Sequence, residues 1–121
     1  MISITINSLP PAEFSPNSRV HWAKRDVARV LAHDLVISLV NAEGWQGPAL
    51  DRAEVTVSWG VNDKRRRDTD NFVGRTKPYI GGLVHAGVLV DDSSRNVVYQ
   101  FQWQEAKQKE TIITVTPCPK D

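Results

Sequence analysis

Residues Val55-Thr56-Val57-Ser58-Trp59-Gly60 alternate apolar and polar side chains. The alternation stops at the charged run Lys64-Arg65-Arg66-Arg67-Asp68-Thr69-Asp70. Period two with β-branched and aromatic residues predicts a strand with one buried face, ended by Gly60. Beyond the charged run the period changes. Val73, Thr76, Ile80, Leu83 and Val84 share one face of a helix predicted from about Asp70 to Ala86, capped by Gly87. Pro78 falls inside it. Proline clashes with the carbonyl four residues back, so a kink or a fresh helical start is expected there.

Working outward, Ile2, Ile4 and Ile6 alternate with Ser3, Thr5 and Asn7, which predicts a first strand. Pro10, Pro11 and Pro16 exclude regular structure until about Asn17. A helix is predicted over Ala23 to Ala42, with Val27, Val30, Leu31, Leu35, Ile37 and Leu39 among charged residues and Gly44 as its stop. Towards the C-terminus, Val97, Tyr99, Phe101 and Trp103 alternate with Val98, Gln100 and Gln102. Thr111 to Val115 is a last strand. The polar turn-like link Glu105 to Glu110 predicts that these two strands form a hairpin. The order β-α-β-α-β-β predicts an α/β (α+β) fold, a mixed sheet of about four strands with two helices packed on one face. The 121 residues fit one domain over 1–121.

Composition bounds the function. No apolar run approaches the ~20 residues of a membrane span, and the first residues lack the pattern of a signal peptide. Cys118 is the only cysteine, which excludes an internal disulfide and suits a reducing cytoplasm. A chain this short would bury more surface as a dimer. Net charge is only +1, so charge as a whole does not announce a nucleic-acid binder. Its distribution says more: Arg75 and Lys77 follow the basic run, and Asp68 and Asp70 sit among these cations.

Asp68 and Asp70 are two apart. In an extended segment that spacing points both carboxylates to one side, where they repel each other unless a cation lies between them. Hard oxygen ligands suit Mg²⁺ or Mn²⁺. A helix cap alone would also account for Asp70. A calcium EF-hand is excluded: counting from Asp68, its sixth position is Val73, not Gly, and its twelfth is Tyr79, not Glu. A second acid pair, Asp91-Asp92, ends the apolar run Val88-Leu89-Val90. It reads as a turn, or as the ligand that the second helix returns to the first pair. Lys77 lies two helical turns after Asp70 on the same face, with Gly74 and Gly81 leaving that face open. It reads as a solvent lysine or as a group that holds a scissile phosphate.

Asp68-Thr69-Asp70-Asn71, then Lys77-Pro78, then Gly82-Leu83-Val84-His85-Ala86-Gly87-Val88-Leu89-Val90-Asp91-Asp92 resembles the RusA family of Holliday junction resolvases. So does Ser15-Pro16-Asn17-Ser18-Arg19-Val20-His21-Trp22. The resemblance runs from about Leu9 to Asp92. It implies a homodimeric, Mg²⁺-dependent endonuclease, commonly phage or prophage encoded, that cuts four-way DNA junctions in recombination and repair and leaves a 5′-phosphate. By the same resemblance the essential acids fall on Asp68, Asp70 and Asp92, with Asp91 beside them. The catalytic lysine falls on Lys77 after a short insertion. Relatives often carry an acid where this chain has Gly81. Lys64, Arg65, Arg66, Arg67, Arg75 and Arg19 are the candidate phosphate contacts, with His21 and Lys24 extending them. Phe72 reads as a junction wedge or as packing, Trp22 as surface or core, and His33 as structural or solvent-facing. Two other readings fit the scaffold: a branched-DNA-binding protein with weakened catalysis, and a phage regulatory protein that binds protein.

Overall fold

The computed structural model describes residues 1–15, 18, 19 and 21–118. Pro16, Asn17 and Val20 of the N-terminal motif are not among them, so that part of the expectation lies outside the described residues. The elements are β1 (Ile2–Ile6), a single 3-10 turn (Ala12–Phe14), α1 (Trp22–Ala42), β2 (Ala53–Val61), α2 (Thr69–His85), β3 (Val97–Glu105) and β4 (Glu110–Pro117). The expected α+β class and four-stranded mixed sheet are present.

The strand order is β1-β4-β2-β3. β4 runs antiparallel to both β1 and β2, whereas β3 runs parallel to β2. The expected β3–β4 hairpin is therefore absent. α2 is a crossover that returns the chain parallel to β2, which leaves β4 to pair on the far side of β2. The short link between β3 and β4 must then pass over the end of β2. Ala106 N–H donates to the Val61 carbonyl at 3.0 Å and ties the link there. A Cβ on Gly60 would stand 2.7 Å from Glu110 Cγ and 2.8 Å from Ala106 Cβ. Gly60 thus does not end the strand; it makes room for the crossing.

Register turns the sequence alternation into rows across the sheet. Ile2, Val115, Val55 and Tyr99 form one row; Ile4, Ile113, Val57 and Phe101 the next; Ile6, Thr111, Trp59 and Trp103 the third. These residues are buried or half-buried, as a sheet covered on one face requires. On the opposite face Ser3 and Thr114 share a hydrogen bond, and Gln102 donates to Ser58.

α2 lays Phe72, Thr76, Tyr79, Ile80 and Leu83 into this core. The helix is continuous through Pro78. Gly74, the residue whose carbonyl the ring would meet, has no side chain to crowd the turn. Gly87 at φ +80 stops the helix, its N–H donating to the Val84 carbonyl. α1 buries Ala32, Val36 and Val40, while Val27, Val30, Leu31 and Leu35 are exposed on its outer side. Trp22 is 74% exposed and so is not core. Among the described residues, no helix is long and apolar enough to cross a membrane.

Candidate functional site

The two flanks of α2 differ. On one flank Val73, Gly74, Lys77 and Ile80 face Tyr99 and Phe101 of β3, and the loop after α2 brings Asp92 and Ser93 to the same place. Together they line a cleft of about 510 Å³. The loop is anchored by a short parallel bridge: Leu50 N–H donates to Val88 O at 2.8 Å, and Val90 N–H donates to Leu50 O at 3.1 Å. Tyr99 O–H then donates to the Asp92 carbonyl at 2.6 Å. Burial pushes the Tyr99 hydroxyl up to about 12, and the nearby Asp92 and Asp91 carboxylates push the same way. Lys77 and half-buried Asp92 therefore line one cleft.

Asp70 is exposed in the first turn of α2, where an acid suits the helix dipole, and its Oδ1 accepts from Asn71 N–H at 2.9 Å. It lies one turn before Gly74 and two before Lys77, so helical spacing puts it on the same flank, but it is not among the residues that line the cleft. Asp68 is placed otherwise. It is the extended residue before α2 and lines the cavity on the opposite flank, with Arg66 Nε at 4.0 Å. The expectation that Asp68 and Asp70 share a side assumed an extended segment. α2 begins at Thr69, so each further residue turns the chain by about 100°. Asp91 is exposed, its Oδ1 accepting from Asp92 N–H.

Among the described residues, no three His, Cys, Asp or Glu side chains are gathered to hold a metal ion. The donors are hard oxygens of the type Mg²⁺ takes. Mg²⁺ is ordinarily bound through one or two carboxylates, with waters and substrate phosphate completing its shell. The residues present fit that mode, not an all-protein cage.

The opposite flank is cationic. Arg65, Arg66, Arg67, Arg75 and Lys109 surround Asp68, Asn71 and Phe72. Two of the expected phosphate contacts are already engaged within the fold. Arg67 Nη1 donates to Asp63 Oδ1 at 2.7 Å and Nη2 to Oδ2 at 3.1 Å. Arg75 Nε donates to the Pro10 carbonyl at 3.1 Å, and its guanidinium lies 4.1 Å over the Phe72 ring. Lys64, Arg65, Arg66 and Arg19 are exposed. Phe72 is buried edge-on against Trp59 and Trp103, so it is packing and not a wedge. His21 caps α1, its Nδ1 accepting from Ala23 N–H. Ser15 Oγ bonds Asn71 Oδ1 at 3.0 Å, so the N-terminal motif meets the Asp-x-Asp-Asn motif in space. Gly81 does not line the cleft: a Cβ there would meet His33 Nε2 of α1 at 2.9 Å.

Sequence reasoning missed Tyr99 as the tether of Asp92, although its alternation with Phe101 placed both on the inner face. It also missed Arg25, Arg29 and His33, which recur every fourth residue along α1 and line a cavity with Lys77. No family model matches the chain. It is similar to an uncharacterized protein of Xylella fastidiosa (strain Temecula1), 31% identical over 111 residues, which cover 88% of this chain and 71% of that protein.

Proposed function

We propose that this chain, which belongs to one family with the uncharacterized Xylella fastidiosa protein, is a Mg²⁺-dependent DNA endonuclease that cuts four-way junctions. One observation carries the reading: Lys77 and Asp92, from separate motifs, line the same cleft. Asp92 and Asp70 would hold Mg²⁺ (or Mn²⁺) together with a substrate phosphate, with Asp91 and Asp68 as further carboxylates. When bound, the ion supplies charge neutralisation on the phosphoryl group and activation of water. The Lys77 ammonium holds the scissile phosphate and offsets the negative charge that develops on it. Tyr99 keeps the Asp92 loop against β3. Lys64, Arg65 and Arg66 give affinity for neighbouring phosphates, with the steep salt dependence that such contacts bring.

The reading includes a homodimer, because a junction has paired strands and a twofold dimer presents paired sites. The outer face of α1 suits a second copy of the chain. Lys24, Val27, Leu31, Asp34 and Ser38 recur at alternating spacings of three and four, and all are exposed. Two such helices packed antiparallel with Val27 against Leu31 of the partner subunit would set Lys24 against Asp34 of the partner subunit. The pairing is self-complementary in charge.

A branched-DNA-binding protein without cleavage is the second reading, favoured by the absence of a gathered group of three acids among the described residues. Incubation with a synthetic four-way junction, with Mg²⁺ or with chelator, separates the two. Wild type is expected to cut only with Mg²⁺, and Asp70→Asn and Asp92→Asn to bind without cutting. Cleavage that persists in chelator, or that both substitutions leave unchanged, would remove the metal site from the reading.

A further inference from the structure

On α1, Arg25, Arg29 and His33 follow one another at four-residue spacing, so they form one ridge. Opposite this ridge α2 brings Gly74, Lys77 and Pro78. With Phe14 these residues line a cavity of about 310 Å³ that, among the described residues, has no carboxylate in its lining. Arg29 is paired with Asp26 at 2.7 Å at the rim. Arg25 Nη2 donates to the Ser18 carbonyl at 3.3 Å, but its Nε is shut off from solvent and has no acceptor among the described residues. The donor is unused where it stands, and a turn of the guanidinium into the cavity would pair it with an incoming acceptor. Burial, then His85 and Arg29, hold His33 below its usual pKa, with Asp34 partly offsetting them. Gly74 and Lys77 also line the Asp92 cleft, so the two cavities share an edge.

We propose that this cavity receives a phosphate group, with the half-buried Arg25 guanidinium as its donor and Arg29 and Lys77 as its flanking cations. Guanidinium forks suit phosphate oxygens, and Arg25, Lys77 and the Asp26-paired Arg29 give the cavity a cationic lining. The source of the group rests on the function proposed above: it is the phosphodiester next to the one held at Lys77, so the strand runs from the Asp92 cleft along the α1–α2 seam. The cavity itself does not depend on cleavage.

The full chain, labelled so that arginine Nε–Hε signals are seen by NMR, tests this directly. Arg25→Lys removes one signal and thereby assigns it. The Arg25 signal is expected to move on titration with a short single-stranded oligonucleotide in chelator, and to move at higher concentration with inorganic phosphate. Movement with phosphate alone would overturn the strand as the source. No movement with either would overturn the site. Independently, Arg25→Gln with Arg29→Gln should lower the slope of log K against log salt for junction binding by about one, the value of one lost phosphate contact. An unchanged slope in a variant whose melting temperature is unchanged would also overturn it. A chain that moves its Arg25 signal with oligonucleotide yet never cuts a junction keeps this site and loses the nuclease reading.

Discussion

The Tyr99 hydroxyl donates to the backbone carbonyl of Asp92 across 2.6 Å, joining β3 to the loop that carries the acid. Burial, then the Asp92 and Asp91 carboxylates, push its pKa up to about 12, which keeps the donor proton on Tyr99 at neutral pH. Tyr99→Phe keeps the ring row with Val55 and removes only this tether. We expect a stability loss of about 1 kcal/mol. We also expect slower junction cleavage with unchanged junction affinity, because Asp92 loses its position while the surface cations stay. Single-turnover cleavage beside a binding isotherm checks both. Wild-type cleavage by Tyr99→Phe would show that the tether does not position the acid.

The core holds a polar relay that packing alone does not explain. Trp59 Nε1 donates to Thr76 Oγ1 at 3.1 Å, and Thr76 Oγ1 donates to the Phe72 carbonyl at 2.7 Å, with Trp59 and Thr76 fully buried. Thr76→Val preserves shape and strands the indole N–H. It should cost about 1–3 kcal/mol in denaturant unfolding, whereas Thr76→Ser, which keeps the hydroxyl, should cost less. Equal stability of the valine variant and wild type would mean that the indole finds another acceptor.

Such relays mark where the sequence stops being readable. The strands were legible because a sheet covered on one face imposes period two, and Ile2 to Ile6 and Val97 to Trp103 obey it. Their pairing order was not. A short polar link between β3 and β4 suggests a hairpin, and only Gly60, which admits the crossing, hints otherwise. α1 carries apolar residues on several sides, so counting them could not separate the inward Ala32, Val36 and Val40 from the outward Val27, Leu31 and Leu35. In the site, α2 holds both Asp70 and Lys77, but it is Asp92 and not Asp70 that lines the cleft with Lys77. The commitments of Arg67 to Asp63 and of Arg75 to Pro10 depend on tertiary neighbours, and spacing is silent about those.

The outward residues of α1 make their own prediction. Leu31 is 64% exposed at the centre of the stripe. Leu31→Glu sets a carboxylate against the apolar Val27 of the partner subunit, where nothing neutralises it. It should convert a dimer to monomer in light scattering with little change in the fold of each subunit. Exchange of Lys24→Asp with Asp34→Lys in one chain should restore the pairing that either change alone weakens. A wild-type chain that is monomeric at high micromolar concentration would leave this face without its partner.

Acid stability should depend on the loop before α2. Arg67 donates two hydrogen bonds to the Asp63 carboxylate, Arg65 N–H adds a third at 3.1 Å, and Lys109 Nζ stands 3.7 Å away. The Arg67 hydrogen bonds, then that of Arg65, hold Asp63 far below its ordinary value of 3.8. The sign follows from linkage. The unfolded chain takes up the proton first as pH falls, so the stabilisation is complete above the unfolded value. It is then lost progressively as pH drops through that value towards the depressed folded one. Asp63→Asn should therefore melt below wild type at pH 6, and the two curves should converge as pH falls from about 4 towards 2. High salt should narrow the gap at pH 6, because the pair is part-exposed. A gap that stays constant from pH 6 to pH 2 would show that Asp63 acts through packing and not through its charge.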